Sequence, residues 1–326
     1  MPRLTARREV WPIRGAFTIS RGSKTTSEVV VAEVADGAHV GRGECTPYAR
    51  YGESVESVLA LIEGQREAIA AGMDRAALQS ALPPGAARNA LDCALWDLEA
   101  KRAGKRVWEL AGLPEPGPLT TAYTLSLDTP EKMRAAAAAN ASRPLLKLKL
   151  GGPGDLDRVE AVRAGAPEAT IIVDANEGWT PEIYTRLAPE LTRLGVAMIE
   201  QPLPASDDAG LATVERSVAV CADESCHDRA SLAHIRGRYD VVNIKLDKTG
   251  GLTEALALRA QAEAAGLRIM VGCMIATSLS MAPATVVAAG AAFVDLDGPL
   301  LLAEDRPEGL RYDGSLVHPP QPALWG

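Results

Sequence analysis

The chain has 326 residues, 47% hydrophobic and 23% charged, an ordinary globular balance with enough apolar material for a large core. A formal net charge of −8 argues against nucleic acid or an anionic membrane as a partner, and no apolar run is long enough to span a bilayer. Residues 1–9 carry basic side chains with no apolar stretch behind them, and the five cysteines are scattered, so the sequence reads as a reduced, cytoplasmic protein without a disulfide framework.

Residues 4 to about 50 read as an antiparallel β meander. Ser27-Glu28-Val29-Val30-Val31-Ala32-Glu33-Val34 is a strand signal, Asp36-Gly37 a turn, and His39-Val40-Gly41-Arg42 restarts extended structure. The loop Ile19-Ser20-Arg21-Gly22-Ser23 joins two of these strands. Helical periodicity predicts one helix from 54 to about 71 and a second over 87–103, with Leu91, Ala94, Leu95 and Leu98 on one stripe. Pro114-Glu115-Pro116-Gly117-Pro118 reads as a linker, so residues 1–113 are expected to form a separate α+β domain.

From residue 119 the pattern alternates strand and helix. The expected strands are 120–125, 145–150, 170–174, 197–200, 218–223, 241–246, 268–273 and 292–295, with seven helices between them. Several of these runs end in charge: Lys147 and Lys149 in the second, then Asp174, Glu200, Asp223 and Lys245 closing the next four. From Lys149 the steps are 25, 26, 23 and 22 residues, each about one strand, one helix and two loops. A β/α barrel carries its active site at the C-terminal ends of its strands, where these charges would gather. An edge strand with a wet lysine face would account for 145–150 alone, but not for carboxylates in the same register on the strands that follow.

Three carboxylates at one barrel mouth repel one another unless a cation neutralises them. Asp174, Glu200 and Asp223 offer only oxygen, which suits a hard ion, Mg²⁺ above Zn²⁺ or copper. Lys149 and Lys245, four strands apart, would stand on opposite sides of a substrate held there. That fits removal of a proton from one face and delivery to the other, α to a carboxylate. Lys147 faces the same way as Lys149 and is expected to place a second ammonium beside it and to hydrogen-bond the substrate carboxylate. The cation and that ammonium should lower the lysine pKa. Lys248, three residues past Lys245, reads as a surface or loop lysine.

The motifs Lys147-Leu148-Lys149, Asp174-Ala175-Asn176, Glu200-Gln201-Pro202, Ala222-Asp223-Glu224-Ser225 and Asn243-Ile244-Lys245 resemble those of the enolase superfamily, in its muconate-lactonizing-enzyme subgroup. The resemblance spans nearly the whole chain. It implies a (β/α)7β TIM-like barrel over 119–298, an N-terminal capping domain, and a tail over 299–326 that returns to the cap. It also implies one Mg²⁺ on Asp174, Glu200 and Asp223, Asn176 beside it, and Lys149 and Lys245 as the acid/base pair. Lys245 on strand six disfavours the mandelate-type branch, which uses His and Asp.

Within the subgroup, Val294-Asp295-Leu296-Asp297-Gly298, Gly272-Cys273-Met274 and Ile19-Ser20-Arg21-Gly22 resemble the dipeptide epimerases. Asp295 and Asp297, two apart, suit a substrate α-ammonium, although such a pair can also cap a turn. Arg21 suits a second carboxylate, although an arginine on a hairpin is commonly solvated. Thr124 is expected at the pocket edge, and Cys273 and Met274 in its wall. The implied activity is two-base epimerisation of L-Ala-D/L-Glu in cell-wall peptide recycling, on a small dipeptide, with a homo-oligomer left open. A lyase of the o-succinylbenzoate synthase kind is the rival, and it has no use for an ammonium-binding Asp pair. A barrel kept only for binding would have lost a ligand or a lysine, and none is lost. Cys221, Cys226, His227 and His234 match no usual zinc spacing.

Overall fold

In the computed structural model, which describes residues 1–326, the chain begins with an antiparallel sheet of β1 (Arg3–Ile19), β2 (Gly22–Asp36) and β3 (His39–Cys45). β2 is buried on both sides, and its alternation assigns the faces. Val29 and Val31 join the large core shared with the barrel, whereas Val30, Ala32 and Val34 join the core of the cap. Helices α1 (Val55–Glu63), α2 (Arg66–Ala70), α3 (Arg75–Ala81), α4 (Ala86–Ala103) and α5 (Val107–Leu110) complete the cap. The single helix expected over 54–71 breaks at Gly64-Gln65. α3 was not expected from periodicity, and Asp74 caps it by accepting from Ala77 N–H at 2.8 Å. α4 lies directly on β3 because Gly41 and Gly43 lack a Cβ. One built there would stand 2.0 and 2.1 Å from the Ala94 and Ala90 carbonyl oxygens.

β4 (Leu119–Thr120) leads into eight parallel strands: β5 (Tyr123–Leu125), β6 (Leu145–Lys149), β7 (Thr170–Asp174), β8 (Val196–Glu200), β9 (Ala219–Ala222), β10 (Val241–Ile244), β11 (Arg268–Val271) and β12 (Phe293–Val294). They neighbour one another in chain order, and Ala122 N–H donates to Val294 O at 2.8 Å, returning the last strand to the first. Helices α6 (Pro130–Ala139), α7 (Asp155–Gly165) and α8 (Pro181–Arg193) follow the first three strands. α9 (Leu232–Ile235) follows β9; α10 (Leu246–Thr249) and α11 (Leu252–Ala264) follow β10. α12 (Ser278–Ala288) follows β11, and α13 (Gly298–Leu301) follows β12. Between β8 and β9 the expected helix is replaced by the 3₁₀ turn Ala209–Ala212. Prolines 202 and 204 and Gly210 oppose helix there. Asp208 is drawn inside, accepting from Ser225 Oγ and Tyr239 OH, each at 2.7 Å.

The strand expected over 120–125 is split. Leu119 and Thr120 pair with the tail hairpin of β13 (Tyr312–Asp313) and β14 (Leu316–Val317), and only Tyr123–Leu125 belongs to the barrel. The tail then reaches the cap. Trp325, fully buried, donates its Nε1–H to Cys93 O at 3.1 Å, and Arg306 bridges Glu9 and Glu44 at 2.6 Å each. No helix is long and apolar enough to cross a membrane.

The barrel floor is a closed apolar layer of Ala122, Leu145, Ile172, Met198, Cys221, Val241, Met270 and Phe293, one residue from or beside each strand.

Candidate active site

Two residues beyond the floor, on the same inward face, stand Thr124, Lys147, Asp174, Glu200, Asp223, Asn243, Gly272 and Asp295. Two further on are Lys149, Lys245 and Asp297. Strand register sets the ligands side by side: Lys149 pairs with Asp174 and Asp174 with Glu200, while Glu200 pairs with Cys221, two residues before Asp223. Asp174, Glu200 and Asp223 are buried, and one carboxylate oxygen from each lies within 4.8 Å of the others. The three lysines expected from the sequence are there, Lys147 and Lys149 from β6 and Lys245 one residue past β10.

The lysines sit on the carboxylates. Lys149 Nζ is 2.6 Å from Asp174 Oδ2, Lys245 Nζ 2.7 Å from Asp223 Oδ2, and Lys147 Nζ 2.7 Å from both Glu200 Oε2 and Asp295 Oδ2. Burial alone would lower the Lys245 and Lys147 ammoniums, but the facing carboxylates outweigh it and hold both well above the ordinary lysine value. The lowering expected from the sequence relies on a cation held by these same carboxylates, whose charge would oppose theirs. Burial would likewise raise Asp223, yet Lys245 and Lys248 hold it well below the usual carboxylate range. Glu200 is pushed up to about 7 by burial and by the negative charge of Asp174.

Lys248 is not the surface residue expected. It is 1% exposed, and its Nζ donates to Asp223 Oδ1 at 2.5 Å, Asp223 O at 2.6 Å and Asn243 O at 2.9 Å. α10 is one turn long, and that turn folds Lys248 back beneath the strand ends. Its i+3 spacing from Lys245 is the one signal the sequence offered.

A cavity of about 540 Å³ opens above this layer, between barrel and cap. Lys149, Lys245, Asp295, Asp297, Thr124 and Arg21 all line it, as do Cys273 and Met274. Asp297 does not cap α13 with its side chain; its Oδ2 accepts the Thr124 backbone N–H at 2.6 Å. Burial and Asp295 raise its carboxyl to about 7. Thr124 thus acts on the site through its backbone. Asn176, at φ 47°, turns the chain so that its own N–H reaches Asp174 Oδ1 at 2.9 Å, while its side-chain Oδ1 is buried without a partner. Arg21 reaches the barrel from the cap. Its Nη2 donates to Glu224 Oε1 at 2.9 Å and Tyr48 OH at 3.0 Å, and its Nη1 to Asn176 O at 3.0 Å. Glu224 and Tyr48 were not singled out from the sequence. Glu224 adjoins Asp223, but only the folded chain brings it to Arg21.

The donor set fits a hard cation. Glu200 Oε2 is buried and accepts no hydrogen bond. Asp174, Glu200 and Asp223 form a buried metal site of three oxygen donors.

Comparison with known proteins agrees with this geometry. Residues 2–112 match the mandelate racemase / muconate lactonizing enzyme N-terminal domain, and residues 131–322 the enolase C-terminal domain-like family. The chain is 47% identical over 312 residues to L-Ala-D/L-Glu epimerase of Escherichia coli K12, covering 95% of this chain and 97% of that one. It is 43% identical over 300 residues to N-acetyl-D-glutamate racemase of a Pseudoalteromonas species, covering 91% and 95%. Among solved structures it resembles an Agrobacterium tumefaciens enolase family member with homology to dipeptide epimerases, which holds sodium and L-Ala-L-Glu. The TM-score is 0.98 and the identity 56%, covering 100% of both chains. With both halves matched and the charged layer in place, the chain belongs to the mandelate racemase / muconate lactonizing enzyme group of the enolase superfamily and is an isomerase of the epimerase type.

Proposed function

We propose that this protein is a Mg²⁺-dependent epimerase of L-Ala-D/L-Glu that moves the Glu α-proton between two lysines. The observation that carries the reading is that Lys149 and Lys245 enter one cavity from strands four apart, with Asp295 and Asp297 lining the same cavity. The likeness to the Escherichia coli epimerase supports the dipeptide.

Asp174, Glu200 and Asp223 would hold a divalent cation, which would supply positive charge beside the substrate carboxylate. The remaining roles belong to the chain. Lys149 and Lys245 hold and accept the proton on opposite faces of the α-carbon. Asp297, with its partner Asp295 already facing Lys147, is the main counter-charge for the substrate α-ammonium. Arg21 reads the Glu side-chain carboxylate, and Glu224 and Tyr48 orient its guanidinium.

In D₂O with Mg²⁺, L-Ala-L-Glu should lose its Glu α-proton signal as the D-Glu epimer appears. EDTA should abolish this and Mg²⁺ should restore it; full activity in metal-stripped protein would refute the reading. A second reading, racemisation of N-acetylglutamate, draws on the Lys147–Asp295 pair, which offsets part of the negative charge an ammonium would need. Running N-acetyl-D-glutamate beside the dipeptide decides between them.

A further inference from the structure

Each of the three metal-site carboxylates rests one oxygen on a fixed donor and turns the other toward a lysine. Asp174 Oδ1 accepts from Asn176 N–H at 2.9 Å, while Oδ2 lies 2.6 Å from Lys149 Nζ. Glu200 Oε1 accepts from Asn243 Nδ2 at 2.7 Å, while Oε2 has no hydrogen bond and lies 2.7 Å from Lys147 Nζ. Asp223 Oδ1 accepts from Lys248 Nζ at 2.5 Å, while Oδ2 accepts from Lys245 Nζ at 2.7 Å. One pattern therefore occurs three times with three chemically different donors: a backbone amide, a side-chain amide and an ammonium.

These donors are built into the fold. Asn243 is fully buried, and its amide occupies the space a side chain at residue 272 would fill. A Cβ on Gly272 would stand 2.6 Å from Asn243 Oδ1 and 2.8 Å from Nδ2. Lys248 has three acceptors for its three N–H bonds, all of them on Asp223 or Asn243. It does not line the cavity, whereas Lys245 does. Lys248 is therefore placed to hold Asp223 rather than to meet substrate.

We infer that Asn243 and Lys248 are positioning residues that confine Glu200 and Asp223 to one-oxygen ligation and so select Mg²⁺ over Ca²⁺. Mg²⁺ takes six ligands in a tight octahedron, whereas Ca²⁺ takes six to eight oxygens at longer range and readily uses both oxygens of a carboxylate. A carboxylate whose outer oxygen is tied to a buried protein donor is held from rotating, and so is hindered from turning that oxygen to Ca²⁺ as a second contact. Removing the Lys248 charge should also strengthen binding of either divalent ion, but that electrostatic gain is shared and cancels in the ratio of the two affinities. The inference rests on the reading of Asp174, Glu200 and Asp223 as a Mg²⁺ site.

The test is calorimetric titration of chelator-treated protein with Mg²⁺ and, separately, Ca²⁺. It compares the natural chain, Lys248→Met, Asn243→Ala and, as a control on an inner oxygen, Lys245→Ala. The ratio of Ca²⁺ to Mg²⁺ dissociation constants should fall about tenfold in Lys248→Met and in Asn243→Ala. It should stay unchanged in Lys245→Ala, where both affinities move together. Circular dichroism reports folding, and Asn243→Ala acts on a different ligand should Lys248→Met fail to fold. An unchanged ratio in the folded outer-oxygen variants overturns the inference and leaves the metal site standing. A natural chain that binds neither ion overturns the metal reading, and the inference with it.

Discussion

The floor and the mouth of the barrel are built from the same strands and differ by one step of two residues. At the floor, Leu145, Ile172, Met198 and Cys221 pack together as an apolar layer. One step up, the same strands present Lys147, Asp174, Glu200 and Asp223. The floor lowers the free energy of the fold by removing apolar surface from water. The mouth does the opposite, gathering buried charges whose desolvation cost is offset only by their neighbours. The difference teaches that stability and chemistry are separated here along each strand rather than between strands, so substitutions at the two levels should fail in different ways.

The largest effect is expected at the mouth. Lys149→Ala or Lys245→Ala should each stop net epimerisation, a loss of about 10³-fold or more, because one turnover needs both a base and an acid. Each variant should still exchange the α-proton of one stereoisomer, and the two should differ in which. NMR in D₂O on L-Ala-L-Glu and L-Ala-D-Glu separately checks this. Exchange of the same isomer by both variants would remove the two-base assignment.

Met198→Ala should break the floor instead. Met198 is fully buried in the apolar layer, and its truncation should cost about 2–5 kcal/mol of stability. Chemical denaturation measures the loss. The folded fraction should keep its ratio of activities on different substrates, and a change in that ratio would show that the two levels are coupled.

Arg21→Ala sharpens the contrast between barrel and cap. Its charged hydrogen bond to a Glu side chain is worth about 1.5–3 kcal/mol, so kcat/KM for L-Ala-L-Glu should fall by roughly tenfold to a hundredfold. A dipeptide with an apolar second residue should lose far less. Equal losses would show that Arg21 serves only to hold the cap against Glu224.

The smallest effect concerns two buried aspartates on neighbouring segments. Asp223 is kept anionic by two lysines, whereas Asp247 accepts only from Thr46 N–H at 3.0 Å and Asn89 Nδ2 at 2.8 Å. Burial raises Asp247 to about 7. An unfolded aspartate ionises near ~3.9. Between those two values the unfolded chain has lost this proton and the folded chain keeps it, so stability falls as pH rises from ~4 to about 7 and levels off above; below ~4 the cost is absent. Asp247→Asn keeps the accepting oxygen and should gain about 1.4 kcal/mol or more at pH 8, shrinking toward zero by about pH 4. Thermal melts of both proteins at the two pH values check the sign, and a gain that does not shrink would refute it.

Most of the mouth was legible in the sequence because strand alternation is local. Asp174, Glu200, Asp223 and Lys245 close apolar runs at regular intervals, and period two fixes which way Lys147 and Lys149 face. Lys248 was misplaced because its burial depends on a one-turn helix that aims it at Asp223, a residue 25 positions earlier. Asn243 gave no sign of its role, since the space it needs comes from the missing Cβ of Gly272 on the next strand.

The sequence by itself determined the order of the strands, the charge at their ends and the chemical class of the metal donors. These follow from periodicity and spacing, which act between residues close along the chain. Only the tertiary structure decided the contacts made across elements. It put a 3₁₀ turn after β8 in place of a helix, because Asp208 is claimed by Ser225 and Tyr239. It split residues 119–125 between the barrel and the tail hairpin, because β14 supplies partners far along the chain, Leu316 for Thr120 and Val317 for Leu119. It also set which carboxylate oxygens are held and which face the lysines. That choice depends on donors brought together from different strands, and no local pattern encodes it.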